Sequence, residues 1–438
     1  MSATATSNDP ILKLLVSARK QITDGDLREA ALSLNKAQKI WPNDARIFIL
    51  AAHMAEKSGN IEGAFTALRR AVALAPTYGP SQMELALLHS RQGQHDEAIT
   101  AADAVHLREP NNIIVLGHMI DIARKANRYD LSIPALRRAL ELVPGDQMLM
   151  RYLGSDLQVT GHTDEALEIL NQLIELNPKD EGLLIARVRH YFKEEKPSLA
   201  LRDTNTLIEL QPGNSIYAYY SAIANGVTPD RQPEELNRVM FDSMAENFDQ
   251  HLVRGLRYQL PKIVAEKITR KFPSKSLSVL DLGCGTGLLG VCLGRLDGFL
   301  IGVDISEKMV EQAAKHNVYD RFHLVNIHDA LRETPGNIYE VITALDVFIY
   351  IGDLKEAIPN AHRILMPAGD LYFSCEAAPE DGPDLVLQGH GRYAHKRSHI
   401  QALCKQAGFE SVEIEDMSLR NETGKPVNGF LVTAHKAA

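Results

Sequence analysis

Six prolines recur at a fixed interval of 34 residues through the first half of this 438-residue chain. They are Pro42, Pro76, Pro110, Pro144, Pro178 and Pro212. Because proline lacks a backbone N–H and cannot continue the helix before it, each one marks the end of a unit. A fixed period of this size indicates a repeat array, in which units bury little alone and become stable by stacking. The front half is therefore predicted to be an all-α solenoid.

Small residues keep the same period and predict two helices in each unit. Glycine permits the turn between two helices because it adopts positive φ without strain. It recurs at Gly25, Gly59, Gly93 and Gly161, with Asn127 and Glu195 at the two irregular positions. Alanine, which lets two helices approach closely, recurs at Ala30, Ala64, Ala98, Ala166 and Ala200, with Ser132 as the exception. Each unit is therefore expected to be a helix–turn–helix pair.

This pattern resembles the tetratricopeptide repeat family, although the large aromatic residue near the start of each unit is mostly absent. The resemblance implies six repeats and a closing helix over residues 11–225. It also implies that the first helices line a concave surface that binds a protein or peptide partner. A spacer or dimerisation element is the alternative. The sequence does not identify the molecule bound or the oligomeric state.

Composition and charge exclude several other classes of protein. The net charge of −9 argues against a nucleic-acid binder, which usually carries a basic face. The four cysteines form no Cys-x-x-Cys pair, so no metal site or disulfide framework is expected. No signal pattern or apolar run of membrane-spanning length is present, so we expect no membrane partner and a cytoplasmic location.

From residue 277 the rhythm changes, and apolar strands alternate with helices. This alternation predicts an α/β, Rossmann-like domain with a mostly parallel sheet over residues 238–438, joined to the repeats by a polar linker at 226–237. The first strand leads into Asp281 and the glycines Gly283, Gly285 and Gly287. A dinucleotide fingerprint would place its third glycine at position 288, which is leucine.

The glycine spacing resembles the class I S-adenosylmethionine-dependent methyltransferases over residues 240–438. The resemblance implies a seven-stranded, mostly parallel sheet and S-adenosylmethionine as cofactor. That cofactor carries an ammonium and a sulfonium, which favour a nearby carboxylate such as Asp281, and it has no pyrophosphate. The cofactor-binding residues expected on this basis are Asp281, Gly283, Cys284, Gly285, Gly287, Asp304, Ile305, Met309, Asp329, Ala330 and Asp346.

The resemblance also implies a role for several of these residues. Asp304 accepts hydrogen bonds from the ribose hydroxyls, Ile305 and Met309 flank the adenine, and Asp329 contacts the adenine amino group. Asp346 lies on the rim beside the transferred methyl group. The stretch FDSMAENFD, residues 241–249, resembles the helix that many small-molecule methyltransferases fold over the cofactor. Its Phe241 and Phe248, together with Tyr258, are candidates for excluding water, and Arg257 is a candidate for binding a carboxylate.

The acceptor side is less constrained, and Asp346, Tyr393 and His395 are the candidate catalytic residues, with Tyr350 beside them. His395 or His390 is a candidate base, because histidine titrates near neutral pH. Arg392, Tyr393 and Lys396 are alternatives that bind an anionic substrate or cap a helix. His395 and His399 share a face if that stretch is helical, but no third metal ligand accompanies them.

The predicted function is methyl transfer to an acceptor that is either a small metabolite or a group carried by a protein. The repeats then bind the partner or the substrate. The rival hypothesis is a scaffold whose back domain binds cofactor without catalysis. A nicotinamide-dependent oxidoreductase is a third interpretation, which the glycine spacing disfavours.

Overall fold

The computed structural model describes residue 9 and residues 11–245, 248–249, 258–422 and 425–438. The chain forms two compact units, Met1–Pro178 and Lys179–Ala438. The first consists of paired helices. The second combines further helices with an α/β sheet. The domain limits given above were drawn from the repeat pattern rather than from compactness, and they stay predictions.

The first unit is a stack of helix pairs, each pair ending shortly before one of the periodic prolines. Its helices are α1 Leu12–Asp24, α2 Leu27–Ile40, α3 Ala45–Lys57, α4 Ile61–Leu74, α5 Gly79–Arg91, α6 His95–His106, α7 Ile113–Lys125, α8 Tyr129–Leu142, α9 Gln147–Val159 and α10 Thr163–Leu176. Apolar residues at helical spacing face the interior, as Ala64, Leu68 and Ala71 do on α4. The predicted all-α repeat fold is confirmed.

The periodic small residues take the backbone and packing roles that their chemistry suggests. Gly25, Gly59, Gly93 and Gly161 all have positive φ, between 72° and 91°. Asn127 and Glu195, which replace glycine at two of the turns, also have positive φ, of 54° and 56°. The turn geometry therefore repeats even where the residue type does not, because stacking of the helices imposes it.

Ser132 occupies the position that is alanine in the other units, and it introduces a buried polar contact. Its hydroxyl donates to the carboxylate of Asp156, which is itself fully buried. Arg124 places a guanidinium nitrogen 3.0 Å from the other oxygen of Asp156. A buried carboxylate needs such partners, because leaving it unpaired costs several kcal/mol.

The second unit begins with helices that continue the repeat pattern. These are α11 Glu181–Lys193, the 3-10 turn Pro197–Ala200, α12 Leu201–Leu210 and α13 Ser215–Ala224, which is the predicted closing helix. Two further helices precede the sheet, α14 Glu234–Met244 and α15 Leu260–Lys271.

Strands and helices then alternate along the chain. They are β1 Val279–Leu282, α16 Leu288–Leu293, β2 Leu300–Asp304, α17 Glu307–Ala314, β3 Arg321–Leu324, α18 Ile327–Glu333, β4 Tyr339–Ala344, the 3-10 turn Phe348–Tyr350, α19 Ala357–Ile364, β5 Leu365–Ala378, β6 Leu385–Leu387, β7 Tyr393–Lys396, α20 Arg397–Gln406, β8 Phe409–Glu422 and β9 Lys425–Lys436.

The described strands form one sheet in the order β3-β2-β1-β4-β5, and both β7 and β9 pair with β5. The β1–β2, β2–β3, β1–β4, β4–β5 and β5–β7 pairs are parallel, and the β5–β9, β8–β9 and β6–β7 pairs are antiparallel. The sheet has nine strands where seven were predicted. The additional strands are the β6–β7 hairpin, which extends the sheet beyond the carboxyl end of β5.

Both faces of the sheet are buried, and strand alternation divides the core between them. On β4, Val341 joins the cluster that includes Ala265 of α15, whereas the next residue, Ile342, joins the cluster that includes Ile358 of α19. Tyr372 and Phe373 of β5 divide in the same way. This two-residue alternation is the geometry of a strand covered on both sides. Across the described residues, no helix is both long enough and apolar enough to span a bilayer.

The segment predicted as a linker is held against the α/β fold. The Tyr393 hydroxyl donates to the carbonyl oxygen of Pro229 at 2.8 Å, and the Asp353 N–H donates to the carbonyl oxygen of Asp230 at 2.8 Å. Gln232 is only 8% exposed and donates to the carbonyl oxygen of Gly391. These contacts fix residues 229–232 beside the carboxyl end of β5.

Candidate active site

The turn after β1 exposes bare backbone to a cavity. Gly283, Gly285 and Gly287 have φ of 65°, 54° and 85°, which L side chains rarely adopt. A Cβ atom on Gly283 would lie 2.5 Å from Cγ2 of Val347, the residue that follows Asp346. Glycine is therefore required at this position for both the backbone conformation and the close approach of the β4 rim.

The carboxylate of Asp304 at the end of β2 is tied to this turn. One oxygen accepts from the Gly285 N–H at 2.8 Å, and the other accepts from the Ser306 N–H at 2.9 Å. Burial raises the pKa of Asp304, while these backbone donors act in the opposite direction. Each carboxylate oxygen retains a lone pair for a further donor.

Asp281 on β1 is buried behind the turn and accepts two hydroxyl hydrogen bonds. Tyr319 donates to one of its oxygens at 2.6 Å, and Thr343 donates to the other at 2.7 Å. Burial raises the pKa of Asp281 to about 6, although both hydrogen bonds lower it. Asp281 therefore connects β1, β4 and the segment before β3.

Helix α14 and residues 248–249 cover the turn. Asp242 accepts a hydrogen bond from the Ser306 hydroxyl at 2.5 Å, and Asp249 accepts from the Thr286 hydroxyl. The ring of Phe241 packs against Phe248 at 6.3 Å and against Tyr350 at 5.2 Å between centroids. The predicted aromatic cover is therefore in contact with the turn, and Arg257 lies outside the described residues.

One cavity of about 350 Å³ brings most of the predicted residues together. Its lining includes Asp281, Gly283, Cys284, Gly285, Asp304, Ile305, Met309, Asp346 and Tyr350. Phe241, Phe248 and Tyr258 line it as well. Gly287, Asp329, Ala330, Tyr393 and His395 do not. The predicted cofactor and acceptor sides therefore share one space.

Asp329 is turned away from the cavity because local partners hold it. Arg332 and the side-chain amide of Asn326 both donate to its carboxylate, and its own N–H donates to Oδ1 of Asn326 at 2.8 Å. Asn326, Ile327 and His328 line the cavity in its place. The Nε2 atom of His328 is buried and has no hydrogen-bond partner within the described residues. Burial lowers the pKa of His328, which favours the neutral ring.

Tyr393 and His395 lie on β7, outside the cavity. Tyr393 is fully buried, and its hydroxyl is occupied by the Pro229 carbonyl. His395 is 2% exposed, with Nε2 at 2.7 Å from the carbonyl oxygen of Gly352, and burial lowers its pKa to about 4. His399 lies on α20, so the two histidines are not one turn apart on a helix. The structure therefore does not bring the predicted base and hydroxyl to the cavity.

Near Asp346, the cavity is instead lined by charged residues, two of which the sequence reasoning did not identify. Arg420 and Glu422 of β8 line the cavity together with Asp346, Tyr350 and Arg392. Arg420 donates through Nη1 to both oxygens of Asp346 at 2.8 Å. Asp346 has a φ of 60°, and its N–H donates to the Ser374 hydroxyl at 2.8 Å. No local pattern in the sequence marked Arg420.

The fold agrees with comparisons to known proteins. A family described as methyltransferase domain matches residues 273–416, and a tetratricopeptide repeat family matches residues 16–79 and 119–181. Among curated relatives, a ubiquinone biosynthesis O-methyltransferase of Thiobacillus denitrificans is 24% identical over 195 residues, which cover 39% of this chain and 83% of the relative. The corresponding enzyme of Hydrogenovibrio crunogenus is 25% identical over 196 residues, which cover 40% and 80%.

Solved structures of both kinds match part of the chain. Magnesium protoporphyrin IX methyltransferase from Synechocystis is 22% identical with a TM-score of 0.36, and the match covers 48% of this chain and 100% of that one. YrrB, a tetratricopeptide repeat protein, is 20% identical with a TM-score of 0.37, and the match covers 44% and 98%. From the family matches together with the repeat fold and the glycine turn, the chain carries tetratricopeptide repeats followed by a class I S-adenosylmethionine-dependent methyltransferase domain.

Proposed function

We propose that this chain transfers the methyl group to an acceptor that binds in the same cavity as the cofactor, on the side of Asp346 and Tyr350. The observation that carries the proposal is that the glycine turn and Asp304 line one end of the space that Asp346, Arg420 and Tyr350 also line. When bound, S-adenosylmethionine supplies a methyl group on a positively charged sulfur, which is ready for direct displacement. The protein's task is then to align the acceptor and to exclude water.

The residues of the cavity fit this cofactor. The backbone of Gly283 and Gly285 lines the cavity, and Asp281 and Asp304 supply negative charge for a cationic ligand. We assign the ribose hydroxyls to Asp304 and the apolar faces of the adenine to Ile305 and Met309. The unpartnered Nε2 of His328 is our candidate for an adenine contact, in place of Asp329.

A binding experiment tests the assignment of Asp304. Saturating S-adenosylhomocysteine should raise the melting temperature of the wild type, since a ligand present at a hundredfold its Kd adds about 2.7 kcal/mol to stability. Asp304→Ala should abolish that rise. Glu311→Gln, on the exposed face of α17, should respond like the wild type. A rise in Asp304→Ala equal to that of the control would contradict the assignment, and a rise with NAD alone would favour an oxidoreductase.

We further propose that the acceptor atom is oxygen. The curated relatives that support this are named as O-methyltransferases. Within the cavity, the hydroxyls of Tyr258 and Tyr350 are neutral groups that can both donate and accept hydrogen bonds. They therefore suit contact with a hydroxyl group on the molecule that is methylated. Labelled product formed from cell extract should carry its methyl on oxygen by NMR. A methyl group found on nitrogen, carbon or sulfur would overturn this assignment.

We propose that the repeat array binds a protein partner or a carrier of the acceptor. Helices α3 and α5 carry a cluster of paired charges that lines a second, shallow pocket. His53 lies 2.9 Å from Glu84, and Arg91 lies 2.6 Å from Glu56. The extended surface of a repeat array suits peptide recognition. The test measures transfer of labelled methyl to the protein fraction of an extract. Loss of this labelling in Glu84→Lys, with S-adenosylhomocysteine binding retained, would support the role. Labelling that Glu84→Lys leaves unchanged would contradict it.

A further inference from the structure

Beside the proposed acceptor side of the cavity lies a set of three carboxylates and two guanidiniums, of which Glu376 and Arg420 are buried and the others partly buried, and we call this set the acid–arginine network. Its members are Asp346, Glu376, Glu422, Arg392 and Arg420. We propose that this network makes the cavity select acceptors that are neutral or cationic beside it and reject anionic ones. The inference rests on the proposed function and names the chemical class of its acceptor.

Arg420 is fully occupied by the three acids. It is 4% exposed, and its Nη1 lies 2.8 Å from both oxygens of Asp346. Its Nε lies 2.8 Å from Glu422, and its Nη2 donates to Glu376. Every nitrogen of this guanidinium therefore faces a carboxylate of the protein. An anionic ligand would have to displace one of these buried pairs to reach it, which is costly.

Arg392 is also engaged on two sides. Its Nε lies 2.9 Å from Glu376, and its Nη2 lies 2.6 Å from Glu422. The second oxygen of Glu376 accepts from the neutral amide of Gln388 at 2.6 Å. The five charged groups of the network, all buried or partly buried, therefore sum to one net negative charge. The sequence alone left Arg392 as a candidate for binding an anionic substrate, and its pairing in the structure argues against that role.

Neighbouring titratable groups do not reverse this balance. His390 lies 3.8 Å from Glu376, and burial lowers its pKa, which favours the neutral ring near pH 7. Arg231 lines the cavity, but its side chain is 59% exposed and lies 3.6 Å from Glu356. Glu234, which also lines the cavity, adds negative charge.

Two tyrosine hydroxyls supply the neutral polar contacts beside the network. Tyr258 is nine-tenths buried, and neither its hydroxyl nor that of Tyr350 has a hydrogen-bond partner within the described part of the chain. Burial raises the pKa of Tyr350 to about 12, and the charge of Asp346 acts in the same direction, so this hydroxyl stays protonated. Met240, Phe241 and Met244 line the rest of this side. The surface therefore suits an apolar body that carries a hydroxyl.

Three probes with the same phenol head and different tails test the charge preference. They are tyramine, with a cationic tail, tyrosol, with a neutral one, and 4-hydroxyphenylacetate, with an anionic one. Binding to the full chain saturated with S-adenosylhomocysteine is measured by calorimetry. We expect tyramine and tyrosol to bind at least about tenfold more tightly than the anion, because the network's one unbalanced negative charge acts on the tail. Equal or tighter binding of the anion would overturn the proposal, as would failure of all three to bind at millimolar concentration.

A charge-neutralising variant tests whether the network is the cause. Glu422→Gln removes one negative charge from the network at nearly constant shape, so the preference for tyramine over the anion should fall about tenfold. Glu413→Gln changes an exposed acid on the same strand and should keep the wild-type preference. An unchanged preference in Glu422→Gln would reject the network as its cause.

The outcomes separate this inference from the proposed function. Absence of S-adenosylhomocysteine binding by the wild type would reject the function itself. Retained binding with the opposite probe order would reject only the acceptor class. If Glu422→Gln does not fold, the ranking of the three probes by the wild type decides the matter.

Discussion

Several buried charges of this protein lie where a ligand is expected, and single residues there control both stability and electrostatics. Arg420 is the clearest case, because it compensates three carboxylates at once. Removing one partner from a buried ion pair leaves an uncompensated charge, which is far more costly than losing an exposed pair.

Arg420→Met should therefore destabilise the protein by about 3–5 kcal/mol, measured as the free energy of unfolding in urea. Arg397→Met is the matched control, because Arg397 pairs with Asp416 on the surface, where both side chains are largely exposed. Its loss should cost less than about 1 kcal/mol. Equal losses in the two variants would show that the network contributes no more than a surface pair.

His395 gives the folding equilibrium a predictable dependence on pH. Its pKa in the folded state is about 4 because the ring is buried, whereas the unfolded chain has the ordinary value of about 6.5. Between these values the unfolded state binds more protons, so stability rises with pH and falls on acidification. From pH 7 to pH 5, wild type should lose about 2 kcal/mol more than His395→Gln. Parallel curves of unfolding free energy against pH would contradict this.

At the scale of elements, the segment between the repeat helices and the sheet behaves as part of the site rather than as a tether. Its Gln232 lines the cavity and bonds to Gly391, next to Arg392. The absence of a side chain at Gly352 allows residues 229–232 to pack closely against it. A Cβ atom there would lie 2.2 Å from the carbonyl oxygen of Asp230.

Gly352→Ala should consequently displace residues 229–232 and weaken acceptor turnover. Gly226→Ala is the matched control, because Gly226 also has positive φ but has nothing within 4 Å of an added Cβ. Both should lose about 1 kcal/mol from backbone strain, and Gly352→Ala about 1–3 kcal/mol more from the clash. Thermal unfolding measures the loss of stability, and KM for the acceptor measures the effect on turnover. Identical behaviour of the two variants would count against a structural role for this segment.

At the scale of the whole molecule, the two compact units should respond differently to ligand. The single tryptophan, Trp41, follows α2 in the first unit, whereas the described cofactor cavity lies in the second. Tryptophan fluorescence therefore reports the unfolding of the first unit alone. Calorimetry reports the unfolding of both units.

Saturating S-adenosylhomocysteine should raise a calorimetric transition while leaving the fluorescence-detected midpoint within about 1 °C. The reason is linkage, because a ligand stabilises only the cooperative unit that binds it. Glu311→Gln should behave like the wild type, and Asp304→Ala should lose the calorimetric shift. A fluorescence midpoint that moves together with the calorimetric one would show that the units unfold as one.

Much of the architecture was predictable because its determinants are local. The 34-residue period, the positive-φ positions such as Gly25, and the turn from Gly283 to Gly287 each depend on backbone chemistry within a few residues. Strand ends in a parallel sheet meet at one edge, so Asp304 and Asp346 were also expected near the turn. Asp329 follows β3, as expected, but hydrogen bonds from Asn326 and Arg332 hold its carboxylate away from the cavity.

The sequence by itself thus determined the repeat fold, the mostly parallel sheet and the place of the cofactor turn. Only the tertiary structure decided the acceptor side. Arg420 meets Asp346 across 74 residues of sequence and Glu376 across 44, through a strand order and register that no local pattern encodes. The same long-range packing buries His395 and Tyr393 and draws residues 229–232 against the site. Such contacts depend on which strands become neighbours, and spacing along the chain does not specify this.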